Sequence, residues 1–357
     1  MEKIFVTKTF LPDKERYLEY VDQIWKNVQL TNNGPLLQQL ERDIAAYLPT
    51  KNMMVCTNGT IVLQMAIKAL QLTGEIITTP FSYVATTNAI IWEKCTPVFA
   101  DIHPDTLCID PESIEKRITP NTQAIMATHV YGYTCDVEAI EAIAKKHQLK
   151  VIYDAAHCFG VKLKGKSLLS YGDVSTCSFH ATKIFHSVEG GCIVCEDETL
   201  FDALYKLRQF GHIVDDYYSA GINAKNSEFH AAMGLAILPS VDNIIKERKR
   251  LSELYDSVLP DVKRPIVPQQ DFEYNYGYYA VVWESEEQLL KIKSALEAEN
   301  IFPRRYFFPS LNTLPFLKDY YPCPVSEDIS RRAMCLPLYI GLQDEKVIQI
   351  AEIIRRT

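Results

Sequence analysis

The chain has 357 residues, 47% of them hydrophobic and 23% charged, with a formal net charge of -8 and a pI near 5.6. Such a chain can bury a substantial core, in two domains by its length, and the lack of any basic block argues against nucleic acid or an anionic membrane as partner. Its opening, MEKIFVTKTFLPDKER, is too weakly apolar for a signal peptide, and no segment offers the ~18 apolar residues of a membrane span, so a cytoplasmic location is expected.

From residue 50 to 200, short apolar or β-branched runs alternate with helical patterns. MMVCT, EIITTP, TPVFAD, QAIMATHV, KVIYDAA and GGCIVCED read as strands. TIVLQMAIKALQL and VEAIEAIAKKHQL carry apolar residues at helical spacing, the second with lysines in its last turn. This alternation predicts an α/β layer with a mostly parallel sheet flanked by helices. After Pro239 the character changes, because VDNIIKERKRLSELYDSVL reads as one long amphipathic helix. A large domain over 1-240 and a smaller α+β domain over 241-357 are therefore expected, the second ending in the helix EKVIQIAEIIRRT.

The ten cysteines are scattered in apolar surroundings and read as buried free thiols. Cys192 and Cys195 form a CxxC, but no second pair stands at metal-site spacing, so they read as small hydrophobes on a strand and no metal is expected.

Ligands of open α/β sheets bind beyond the carboxyl ends of the strands. Three strand ends carry chemistry here. Thr57-Asn58-Gly59-Thr60 opens a helix, where glycine lets a ligand approach and Thr60 with the first free amides can hold an anion; an ordinary turn with Thr60 as N-cap is the alternative. Asp154 follows the strand VIY, and an acid held there needs a cation or several donors; capping of the next turn by Asp154 and packing of His157 would look the same. Beyond VSTCSF lie His180 and Lys183, and a desolvated lysine amine can attack a carbonyl. Lysine, strand-end acid and anion-binding turn together fit pyridoxal phosphate, with Tyr83 of PFSYVATT as an aromatic face for its ring.

The ordered motifs TNNGPLLQQLE, TNGT, PFSYVATTNAI, TPVFADIHPDTLCID, ITPNTQAIMATHVYG, DAAHCFG, SFHATK, EGG and GINAKNSEFHAAMGL resemble the DegT/DnrJ/EryC1/StrS family of sugar-nucleotide aminotransferases, from about Leu30 to the C-terminal region. The resemblance implies the aspartate aminotransferase type of fold (fold type I) and pyridoxal 5′-phosphate, cycling with its pyridoxamine form. It makes Lys183 the lysine that condenses with the cofactor and shuttles the proton, Asp154 the partner of the ring nitrogen and Tyr83 the stacking aromatic. Gly59, Thr60 and Ser178 would bind the phosphate, with Asn223 reaching it from the neighbouring subunit of a homodimer with shared active sites. His157 stands where the family often has glutamine, beside the cofactor's phenolic oxygen, and Lys225 replaces a common arginine, keeping the charge without the bidentate fork.

The segment RRYFFPSLN resembles members acting on dTDP-linked 4-keto-6-deoxyglucose. Arg304, Arg305 and Tyr306 are the candidates for contacting the diphosphate or sugar, a surface loop packed on aromatics being the alternative. The implied reaction moves an amino group from L-glutamate to the keto sugar in the synthesis of a surface-polysaccharide (O-antigen) sugar. Amination of a 3-keto sugar, a sugar dehydratase with histidine at the lysine position, and a non-catalytic regulator on the same fold are the rivals. Lys183 speaks against the dehydratase, and the presence of both Lys183 and Asp154 against the regulator. A nicotinamide dehydrogenase is disfavoured because no GxGxxG follows a strand.

Overall fold

The computed structural model describes residues 3–267 and 270–357. Its centre is a seven-stranded sheet in the order Met53–Cys56, Gly191–Val194, Val174–Ser178, Lys150–Asp154, Thr122–Thr128, Glu75–Thr78, Thr96–Phe99. Six of these strands run in the same direction; Gly191–Val194 alone is reversed, antiparallel to both of its neighbours. The predicted mostly parallel mixed sheet flanked by helices is thus observed.

Continuous apolar runs form these strands because helices cover both faces of the sheet. Alternate residues point to opposite sides. Val55, Ile77, Ile125 and Val151 join the helices Pro35–Tyr47, Val137–His147 and Glu228–Ile237, while Met54, Ile76, Met126 and Ile152 join Gly59–Ala69, Ala85–Trp92 and Glu198–Arg208. The helix Pro35–Tyr47 buries Leu36, Leu37, Leu40 and Ile44, each worth about 1.5–3 kcal/mol relative to exposure. Its N-cap, Gly34, has no side chain, and the amides of Leu36 and Leu37 donate instead to the buried carboxylate of Glu228, at 2.8 and 2.9 Å.

A separate apolar cluster unites the helices Val241–Val258, Glu286–Ala298 and Asp344–Arg356 with the antiparallel strands Tyr279–Val282 and Ala333–Leu336. Ile4 belongs to this cluster, since Ile4–Phe5 pairs in parallel with Ile301–Phe302. The N-terminal strand therefore closes against the C-terminal part of the chain. All ten cysteines are free and buried, Cys192 and Cys195 among them.

Candidate active site

Lys183 lies in the irregular stretch that follows the strand Val174–Ser178. Three buried phenylalanines shape that stretch: Phe185 stacks on Phe159 with centroids 4.4 Å apart and meets Phe179 edge-on at 4.8 Å. The backbone folds back on itself, with Ser187 N donating to Phe179 O at 3.0 Å and Lys183 N to His180 O at 2.8 Å. The Lys183 amine is thereby delivered into a cavity of about 770 Å³ at the carboxyl ends of the strands. Burial lowers its pKa, and nearby Asp154 opposes the shift only in part. A larger share of uncharged, nucleophilic amine follows.

Asp154, the last residue of its strand, faces the same cavity. Its Oδ2 accepts from Thr86 Oγ1 at 2.6 Å and its Oδ1 from Ala156 N at 3.1 Å. Behind Thr86 runs a buried hydroxyl chain: Ser82 Oγ bonds Thr86 Oγ1 at 3.0 Å, and Thr128 Oγ1 donates to Ser82 Oγ at 3.1 Å. Burial still raises the Asp154 pKa above the ordinary carboxylate value, against the pull of Thr86, Ala156 N and Lys183. The donor set leaves this carboxylate under-compensated, so it has capacity for one more cationic N–H.

His157 completes the inner wall, stacked on Phe307 at 5.9 Å and edge-on to Tyr278 at 4.9 Å. Burial first, and the Lys183 charge second, push its pKa well below the usual imidazole value, so the ring is neutral. Among the described residues its buried Nδ1 has no hydrogen-bond partner. Asn275 fixes the backbone here, donating from Nδ2 to His157 O at 2.8 Å and to Phe159 O at 2.9 Å. Arg248, buried in the Val241–Val258 helix, holds the adjoining loop through Tyr276 O and Gly277 O at 2.9 and 2.6 Å.

The helix that starts beside the cavity is capped by Asn58, not by Thr60. Asn58 Oδ1 caps the helix by accepting from Thr60 N and Ile61 N at 3.0 and 2.9 Å, and Gly59, Thr60 and Ser178 line the cavity beside it. A Cβ on Gly59 would stand 2.9 Å from Ser178 Cβ, and one on Gly191 would stand 2.7 Å from Asn58 O, so glycine keeps this cradle open.

Of the other expected residues, Tyr83 lines the cavity and is 59% exposed. Arg304 and Tyr306 line it too, and also an outer cavity of about 500 Å³ that includes Arg305. Arg305 is committed elsewhere, to Glu286 at 2.7 Å, Arg331 O at 3.0 Å and the face of Phe308 at 3.7 Å. Asn223 is exposed, bridged to Gln209, and does not reach the cavity of its own chain. Lys225 pairs with Cys56 at the strand end and lies 5.1 Å from the Phe210 ring centroid. Thr86, Ser82, Thr128, Asn275, Tyr278 and Phe307 were not anticipated; the spacing of Ser82 and Thr86, one helical turn apart in PFSYVATT, was the only signal for any of them.

The residues present fit pyridoxal phosphate. The under-compensated Asp154 suits a protonated ring nitrogen, the neutral His157 ring on the cavity wall a phenolic oxygen, the Gly59–Ser178 cradle a phosphate, and the Lys183 amine, its pKa lowered by burial, an aldehyde.

Comparison with known proteins agrees. The profile of the DegT/DnrJ/EryC1/StrS aminotransferase family matches residues 12–355. The dTDP-4-amino-4,6-dideoxy-D-glucose transaminase of Shigella dysenteriae is 41% identical over 99% of both chains. The GDP-perosamine synthase of Escherichia coli O157:H7 is 31% identical over 99% of this chain and 98% of its own. The crystal structure of DesI in the presence of its TDP-sugar product superposes with a TM-score of 0.94 at 30% identity, over 100% of this chain and 93% of the other.

Proposed function

Because the chain belongs to the DegT/DnrJ/EryC1/StrS aminotransferase family, we propose that it moves the amino group of L-glutamate onto dTDP-4-keto-6-deoxy-D-glucose, forming dTDP-4-amino-4,6-dideoxy-D-glucose. Family, relatives and fold make it a sugar aminotransferase that uses pyridoxal 5′-phosphate. The dTDP-linked 4-keto substrate rests on the relative of 41% identity spanning the whole chain. The single structural observation that carries the reading is the delivery of the half-buried Lys183 amine and the buried Asp154 carboxylate into one cavity.

Pyridoxal phosphate supplies an aldehyde and an electron-accepting ring. Everything else falls to the chain. Lys183 Nζ would hold the cofactor through its aldehyde, and its amine is placed to carry a proton to and from the reacting carbon as general base and acid. Asp154, oriented by Thr86 and the amide of Ala156, holds a proton on the ring nitrogen by its charge. His157 is neutral and donates a single hydrogen bond at most, so it orients without adding charge. Gly59 N, Thr60 Oγ1 and Ser178 Oγ bind the phosphate, and Tyr83 covers the ring.

We further infer a homodimer with shared active sites. The exposed apolar stretch that includes Phe210, Val214, Tyr217 and Tyr218 flanks Asn223, which a second copy would bring to the cofactor phosphate. Ten buried free thiols suit a reducing, cytoplasmic setting. The product would feed a surface polysaccharide. Among the described residues no helix is long and apolar enough to cross a membrane.

The test is to incubate the loaded enzyme with L-glutamate carrying heavy nitrogen in its amino group and with dTDP-4-keto-6-deoxy-D-glucose, and to look for the label in a dTDP-amino sugar by mass spectrometry. Label in the sugar supports the reading; unlabelled sugar with intact glutamate refutes it.

A further inference from the structure

The two cavities share a wall, and Arg304 stands on it. Ser82, Tyr83, Arg304, Tyr306 and Phe307 face both the inner cavity of Lys183 and the outer cavity edged by Arg305 and Lys293. The main chain of Arg304 is fixed by two hydrogen bonds to Cys335, with N donating at 3.1 Å and O accepting at 2.8 Å. Its side chain is exposed, 5.3 Å from the Tyr306 ring centroid, and among the described residues no carboxylate lies within ion-pair distance of it. A pinned stem with an uncommitted head is the arrangement of a ligand contact.

The neighbouring cations are spent. Arg305 is tied to Glu286, and Lys293 pairs with Glu297 at 2.5 Å. In the inner cavity Lys183 is reserved for the reaction, while the His180 ring bonds Thr182 Oγ1 at 2.8 Å and faces Glu189 at 3.6 Å. Arg304 is thus the permanent positive charge that one chain offers, among its described residues, to an anionic substrate beside Lys183.

Transamination brings two different molecules to that lysine in turn. Resting on the donor and acceptor proposed above, both carry a negative group set apart from the carbon that reacts: the side-chain carboxylate of glutamate, and the diphosphate of the sugar nucleotide. We propose that Arg304 is the anion contact shared by the two half-reactions, holding the distal carboxylate of the donor in the first and the diphosphate in the second. A guanidinium matches either group in bidentate fashion, which a lysine does not. Arg304 then selects a dicarboxylic donor over a monocarboxylic one, and donor and nucleotide exclude each other from it. Arg305 acts as the strut that keeps Phe308 and the outer wall in place.

The experiment compares wild type, Arg304→Gln and Arg304→Lys as holoenzymes. L-Glutamate and L-2-aminobutyrate, which lacks the distal carboxylate, are titrated against the visible cofactor band, and dTDP binding is followed by calorimetry. In Arg304→Gln the half-saturating glutamate concentration is expected to rise about tenfold to a hundredfold while that of 2-aminobutyrate stays constant, and dTDP binding weakens by a similar factor. Arg304→Lys falls between. In wild type dTDP raises the half-saturating concentration of glutamate but not of 2-aminobutyrate. If Arg304→Gln weakens only one of glutamate and dTDP, or weakens 2-aminobutyrate equally, the shared contact is overturned although the transaminase reading stands. If glutamate leaves the wild-type band unchanged, the proposed donor is wrong and this inference falls with it.

Discussion

Thr86 Oγ1 donates to Asp154 Oδ2 at 2.6 Å, at the end of a buried chain of hydroxyls that begins at Thr128. A charge-assisted bond of this kind contributes roughly 1.5–3 kcal/mol. Thr86→Val removes it and lets burial drive the Asp154 carboxyl further up. Less of Asp154 is then ionised at a given pH, so the acid limb of the kcat profile moves to higher pH and turnover at neutral pH drops about tenfold or more. A pH profile superimposable on wild type would contradict the role given to Thr86.

The same carboxylate sets a stability trend in the cofactor-free protein. Asp154 holds its proton more tightly folded than unfolded, so its contribution is fully present below the unfolded pKa and is lost as pH rises through the raised folded pKa. Asp154→Asn should flatten that decline, leaving the apoprotein at neutral pH as stable as wild type or more so, while losing most activity. Melting temperature measured against pH in both proteins decides this. A mutant that melts lower across the range would show that the carboxylate is structural.

Gly59→Ala should weaken pyridoxal phosphate binding by about tenfold or more, because the new Cβ would stand 2.9 Å from Ser178 Cβ and 3.0 Å from Ser178 Oγ, so that one of the two must shift. Fluorescence titration of the apoprotein with the cofactor measures it. Unchanged affinity would place the phosphate elsewhere.

Asn275→Ala leaves the carbonyls of His157 and Phe159 without their shared donor. Each buried group so orphaned costs about 1–3 kcal/mol, and the loss should appear both in denaturant midpoint and in cofactor affinity, since His157 lines the cavity. A drop in stability with cofactor affinity intact would confine Asn275 to the scaffold.

The convergence of three strand ends on one cavity was readable from the sequence. The apolar runs are strands because both sheet faces are covered, and residues that follow such runs converge at the carboxyl edge; that logic reached Gly59, Asp154 and Lys183. It stopped where support comes from distant sequence. Asn275 sits in the aromatic run FEYNYGYY, far from the DAAHCFG loop it clamps, and nothing in its own neighbourhood reveals that contact. The Thr86 hydroxyl reads as one of several in a helix start, and only the packing of that helix against the strand ends turns it toward Asp154. The helix cap lies elsewhere for a local reason, because Asn58, extended at φ -164°, reaches two amides and so takes the capping role that the alternative reading gave to Thr60. The pairing of Ile4–Phe5 with Ile301–Phe302 spans nearly the whole chain, beyond the range of any periodicity.

Lys183 is the residue proposed to take up the cofactor and to give it over to the donor's amine. The most direct measurement is the visible absorption of purified wild type and Lys183→Ala, each mixed with pyridoxal phosphate and dialysed, before and after L-glutamate. Wild type should retain a yellow band that glutamate bleaches, and Lys183→Ala should retain no lysine-bound band and show no turnover. A Lys183→Ala protein that keeps the band and transaminates at the wild-type rate would contradict the account.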